Sequence, residues 1–88
     1  MNVEFRESFV KDLRDIRDKK LLAKIRATIE SLETAPDLLN IPNTKKLRGG
    51  KEHYRIRIGE FRLGFVVEDD SLVLVRFLDR KDIYRFFP

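Results

Sequence analysis

The stretch Tyr54-Arg-Ile-Arg-Ile-Gly-Glu-Phe-Arg-Leu-Gly-Phe65 limits what this chain can fold into more than any other segment. Apolar and basic residues alternate on both sides of Gly59-Glu60, the two-residue period of a strand with one buried face. A glycine-first pair between two such runs predicts a two-residue type II′ hairpin turn, because glycine enters the left-handed region without steric cost. That turn sets the register. Ile58 falls against Phe61, Ile56 against Leu63 and Tyr54 against Phe65 on one face, with Arg57 against Arg62 and Arg55 against Gly64 on the other. Like charges directly opposite each other weaken a ladder. A fold has no use for that arrangement, whereas a site for a polyanion does.

The flanking segments supply what the hairpin needs to pack against. Residues 2–6 read as a short strand at or near a sheet edge. From Glu7 the period turns helical, with Phe9, Leu13 and Ile16 in one stripe backed by Val10. Asp18 is a candidate N-cap for a second helix whose Leu22, Ile25, Ile29 and Leu32 face the core. Ala35-Pro36 stops it, since the residue before proline disfavours the helical well. Residues 37–50 read as a loop punctuated by Pro42, Asn43 and Gly49-Gly50. After a turn at residues 68–71, residues 72–78 form a nearly continuous apolar strand suited to a sheet centre. The expected register pairs Phe61 with Phe77 and Arg62 with Arg76. It turns Val73, Val75 and Phe77 toward the helices and leaves Leu72, Leu74 and Arg76 on the open side. Arg55, Arg57, Arg62 and Arg76 would then share one side of a three-stranded antiparallel platform. In the short aromatic tail that follows, Phe86 and Phe87 are expected to pack the segment down. The fold class expected is α+β: an N-terminal helical hairpin packed on one face of a small antiparallel β-sheet, with a short C-terminal helix or tail, in one domain over residues 1–88.

Charge points the same way. Residues 1–40 carry eight basic and eight acidic residues, so the net +4 resides in residues 41–88, with eleven against seven. Between Lys45 and Arg62, seven basic residues face only Glu52 and Glu60. A patch this focused favours nucleic acid or an acidic protein; the competing reading is a merely solvated basic surface. With no cysteine, neither a disulfide nor thiolate ligation of a metal is expected, no cofactor is called for, and a reducing, cytoplasmic setting fits. No signal-peptide pattern and no apolar run of bilayer length occur, so no membrane partner is expected.

The order β-α-α-β-β-β, the segment Lys46-Leu-Arg-Gly49 before the hairpin, and Arg80-Lys-Asp-Ile-Tyr84 near the end together resemble the RelE/ParE superfamily of bacterial toxins over nearly the whole chain. The resemblance implies a toxin of a type II toxin–antitoxin pair, whose antitoxin wraps it and masks the basic surface. The RelE branch cleaves messenger RNA without a metal, usually in the ribosomal decoding site; the ParE branch poisons DNA gyrase. Carried over by position, the basic residues of the RelE hairpin face fall at Arg55, Arg57 and Arg62. The basic residue and aromatic near the C-terminus fall at Arg80 and Tyr84. Several relatives carry a histidine near that end, where this chain has Asp79 before Arg80 and none.

RNA brings its own nucleophile, the 2′-OH. The protein must align it, take its proton, stabilise charge gathering on phosphorus and protonate the leaving 5′-oxygen. Guanidinium forks match phosphate oxygens and stay charged at any working pH. Arg62 and Arg80 are therefore assigned to phosphate and transition-state contacts, Arg57 to charge compensation, and Arg55 to either. Tyr84 stacks on a base or moves a proton; His53, at the strand entrance, ranks below it as a base. Lys45, Lys46, Arg48, Lys51, Arg76, Lys81 and Arg85 are expected to steer RNA or the ribosome. The predicted partners are thus mRNA, the ribosome and a cognate antitoxin presenting an acidic, amphipathic segment over the open face. Two rivals remain: a gyrase poison, and a non-catalytic nucleic-acid-binding domain whose arginines are simply the wet side of a sheet.

Overall fold

The computed structural model describes residues 1–49 and 52–88, Leu39 through its backbone only. Strand β1 (Asn2–Phe5) leads into helices α1 (Glu7–Leu13) and α2 (Lys19–Thr34). Strands β2 (Thr44–Lys46), β3 (His53–Ile58), β4 (Phe61–Glu68) and β5 (Ser71–Asp79) follow, and one helical turn, α3 (Ile83–Phe86), comes last. The sheet order is β1-β5-β4-β3-β2. Among the described residues no helix is long and apolar enough to cross a membrane.

The local signals in the sequence act as they should. Asp18 Oδ1 accepts from the amides of Lys20 and Leu21 at 2.9 and 3.2 Å, capping α2. Gly59 opens the β3–β4 turn at φ +58°, and every pair from His53–Val66 to Ile58–Phe61 stands in the predicted register. Phe9, Ile25 and Leu32 from the helices meet Ile56, Ile58, Leu63 and Phe65 from the hairpin in the main core. The arginines therefore lie on the side the α-hairpin leaves uncovered.

Three features depart from expectation. First, β1 pairs with β5 in parallel, so the sheet is mixed rather than wholly antiparallel. Second, Thr44–Lys46, read as loop, adds a fifth strand against β3. Three polar residues give no alternation to detect, and the strand forms because β3 offers its free edge. Third, a bulge at Gly64/Phe65 re-phases β5. Leu63 pairs with Phe77 and Gly64 with Arg76, but Phe65 then pairs with Leu74, leaving Val75 as the extra residue. Arg62 accordingly stands opposite Leu78, not Arg76, and Phe61 opposite Asp79, not Phe77.

The bulge also exchanges the faces of the strand's first half. Leu72 and Leu74 are fully buried in the core under the helices. Val73 and Val75 turn to the other side, into a second small core with Leu47, Val66, Ile83 and Phe87. This second core explains Gly64. A Cβ there would lie 2.6 Å from Cδ2 of Phe87, whose ring rests on the glycine. Gly64→Ala is expected to destabilise the protein by about 1–3 kcal/mol, the usual cost of overpacking. It should also loosen α3, seen as a lowered Tm together with faster amide exchange at residues 83–87. Unchanged exchange there would mean the ring yields without cost.

Candidate nucleic-acid interface

The register brings the predicted arginines together in rows. Arg57 faces Arg62, and Lys45, Arg55, Gly64 and Arg76 follow one another across β2 to β5 on the same side. Phe87, seated on Gly64, divides the second row and separates Arg76 from Arg55. Among the described residues, Arg55, Arg57 and Arg62 have no acidic partner within ion-pair distance. They are held by neutral acceptors instead. Arg62 Nη1 donates to the carbonyls of Gly59 and Phe61, both at 2.9 Å. Arg55 Nη1 donates to the Asn43 carbonyl at 3.0 Å, and its buried Nε has no partner. Neutral acceptors position a guanidinium while leaving its charge uncompensated, which is what an incoming phosphate requires.

Asn43 is the residue the sequence did not reveal. It sits at φ +61°, where its carbonyl accepts both Arg55 Nη1 and the Arg57 amide, and its side-chain oxygen takes Arg57 Nη2 at 3.4 Å. The Pro42-Asn43 pair was readable as a turn, but a turn signal says nothing about which strand it serves. The fold tolerates the opposed arginines at some cost. Arg57→Gln should raise the Tm of the free protein by roughly 1–4 °C, through relief of cross-strand repulsion. A clear drop in a thermal melt would assign Arg57 to stability instead.

The remaining predicted residues divide. Tyr84 is 57% exposed and lines a cleft with Lys45, Leu47 and Arg48, beside the arginine face. Arg80 continues the β4–β5 ladder past Asp79, its amide donating to Glu60 O at 2.9 Å, and its Nε pairs with Glu60 Oε2 at 3.0 Å. Both side chains are more than half exposed, so the pair is weak and a phosphate can compete for the arginine. Lys81 and Arg85 are exposed on the segment that carries Tyr84. Lys51 lies outside the described residues.

Two placements go against the RNA-facing expectation, and a third, His53, fits the reading of it as more bland than catalytic. Arg76 makes a bidentate pair with Asp12 of α1, at 2.8 and 3.1 Å, and is structural. Lys46 pairs with Tyr54 on the helix-bearing side, where it reaches Glu52 at 3.5 Å. His53 packs its ring 5.3 Å from Phe87, opposite Val66. Tyr54 is no proton carrier for the face either: burial, then the hydrogen bond from its hydroxyl to Glu52, raise its pKa above the ordinary phenol value. What the arrangement offers is a shallow cationic platform with an exposed phenol at its rim.

A helical hairpin packed on one side of a five-stranded sheet is the fold this chain shares with RelE-type toxins. The chain belongs to that superfamily: the family model for the ParE toxin of type II toxin–antitoxin systems matches residues 3–84. A curated relative, toxin RelE3 of Methanocaldococcus jannaschii, is 36% identical over 89 residues, covering 100% of both chains. The toxin chain in a RelB–RelE complex from Methanococcus jannaschii superposes with a TM-score of 0.80 at 35% identity, over 97% of this chain and 99% of that one. A chain of the archaeal RelE–RelB complex from Pyrococcus horikoshii shares the fold, with a TM-score of 0.73 at 23% identity over 90% and 93% of the two chains.

Proposed function

We infer that this toxin is a metal-independent endoribonuclease that cuts messenger RNA, on the ribosome, by attack of the 2′-OH on the adjacent phosphorus. The O2′–P bond forms as the P–O5′ bond breaks, giving a 2′,3′-cyclic phosphate and a free 5′-OH. Arg62 and Arg80 meet the phosphate oxygens, Arg57 offsets the added charge, and Arg55 supports either task. Tyr84 stacks on a neighbouring base or passes the proton. Lys45 and Arg48, with Lys81 and Arg85, add a salt-sensitive attraction for the RNA backbone. The observation that carries this reading is the set of three same-face arginines held by carbonyl and amide oxygens, with no acidic partner among the described residues.

The partner that silences the toxin is a cognate antitoxin, as in the RelB–RelE complex of its relative. An acidic segment suits the basic platform. Leu72 and Leu74, which the sequence pattern puts on the open side, offer that segment no apolar contact, because both are buried under the helices.

A translating extract supplied with wild type, Arg62→Ala or Tyr84→Phe tests the activity. Wild type should fragment the message, Arg62→Ala should not, and Tyr84→Phe separates stacking, which it keeps, from proton transfer, which it loses. The second reading, a gyrase poison, is favoured by the ParE name of the matching family. It predicts intact messages and a loss of DNA supercoiling.

A further inference from the structure

The one-turn helix α3 carries two exposed aromatic rings, and only one of them belongs to the site described above. Tyr84 and Phe86 are each 57% exposed. Two residues apart on a helix they point about 200° from each other, that is, to opposite sides. Tyr84 faces the cleft of Lys45 and Arg48. Phe86 faces a second depression, with His53, Val75 and the Arg6–Glu68 pair, 2.9 Å apart, along its walls. The two depressions meet at Phe87 and Pro88, which line both. The expectation that Phe86 packs the tail down fails; Ile83 and Phe87 do that.

The Arg76 guanidinium lies 5.3 Å from the centroid of the Phe86 ring. Asp12 holds that guanidinium through two hydrogen bonds, so the ring is backed by a fixed cation. A ring steadied in this way is preorganised to receive a flat partner at little entropic cost.

The geometry points to Phe86 as a second nucleobase-stacking position, one that binds single-stranded RNA running across α3 from the Tyr84 cleft. This rests on the RNA reading given above and adds a second binding position to it. Stacking on an aromatic side chain tolerates any base, since every base has a π-face. The position therefore adds affinity without adding sequence preference.

The chain has no tryptophan, so Phe86→Trp installs a sole reporter at this place. The probe is a short single-stranded 2′-O-methyl oligonucleotide, which cannot be cut because its nucleophile is blocked. Its addition should quench the Phe86→Trp emission, with a Kd near that of wild type. Phe86→Leu keeps the apolar character but lacks the π-face, and should bind roughly tenfold more weakly at unchanged Tm. On cleavable RNA its loss should fall on KM and spare kcat. Phe86→Leu binding as tightly as wild type would overturn the stacking position while leaving the RNA reading intact. So would an effect of Phe86→Leu confined to antitoxin affinity, which would make the ring a protein contact. Failure of wild type itself to bind the probe would overturn the stacking position on free RNA, while cleavage on the ribosome stands or falls by the message assay above.

Discussion

Arg62→Ala should lower kcat for RNA cleavage by about 10²–10³, the loss typical of removing one preorganised donor from developing charge. Among the described residues the Arg62 guanidinium hydrogen-bonds the carbonyls of Gly59 and Phe61 at the turn, and Arg62 belongs to neither core. Its removal should therefore not lower the Tm, and relief of the same Arg57–Arg62 repulsion should raise it slightly. The loss should appear in kcat, because charge on the phosphoryl oxygens grows only toward the transition state. Arg57→Ala should cost less, since the part proposed for Arg57 is charge compensation alone. An Arg62→Ala enzyme with native kcat would remove the guanidinium from the chemistry and leave the platform as a binding surface.

Asp12→Ala should be the most damaging single change to the fold outside the apolar core. The Asp12 carboxylate takes two hydrogen bonds from Arg76 and a third, at 2.9 Å, from the Phe77 amide. That amide lies on the edge of β5 beyond Leu74, where pairing with β1 has ended. Ser8 covers the same edge, its hydroxyl donating to Val75 O at 2.6 Å, so α1 stands in for the missing strand. The Asp12 side chain is 11% exposed and that of Arg76 25%. Removing the acid strands a guanidinium and a backbone N–H together, at a cost of roughly 3 kcal/mol. For a domain of this size that lowers the Tm by about 10 °C or more. Asp12→Asn keeps an acceptor for the amide and should lose less. Combining Asp12→Ala with Arg76→Leu should recover part of the loss, because no unpaired cation remains. Arg76→Leu alone should keep kcat within a few-fold of wild type, against any part for Arg76 in the chemistry.

These two residues show where the sequence was legible and where it was not. The hairpin was readable pair by pair, because its alternation and its Gly59 turn agree on one register. Asp18 and Ala35-Pro36 bound α2 for reasons confined to a few neighbouring residues. Strand β5 was readable as a strand but not in phase. Leu72-Val-Leu-Val has no alternation, and the bulge that decides its phase sits at Gly64, where Phe87 rests from 23 residues further along the chain. Asp12 was one acid among several on a helix surface, and only the fold brings it to Arg76. The arginine face itself was legible because it follows from hairpin parity. Its separation from Arg76 was not, because that depends on packing from the C-terminal turn.

The most direct measurement is the chemistry of the fragment ends. Messages recovered from a translating extract treated with this toxin should carry new 2′,3′-cyclic phosphates, each matched downstream by a free 5′-OH, and neither should appear with Arg62→Ala. Intact messages alongside gyrase that no longer supercoils DNA would contradict the account.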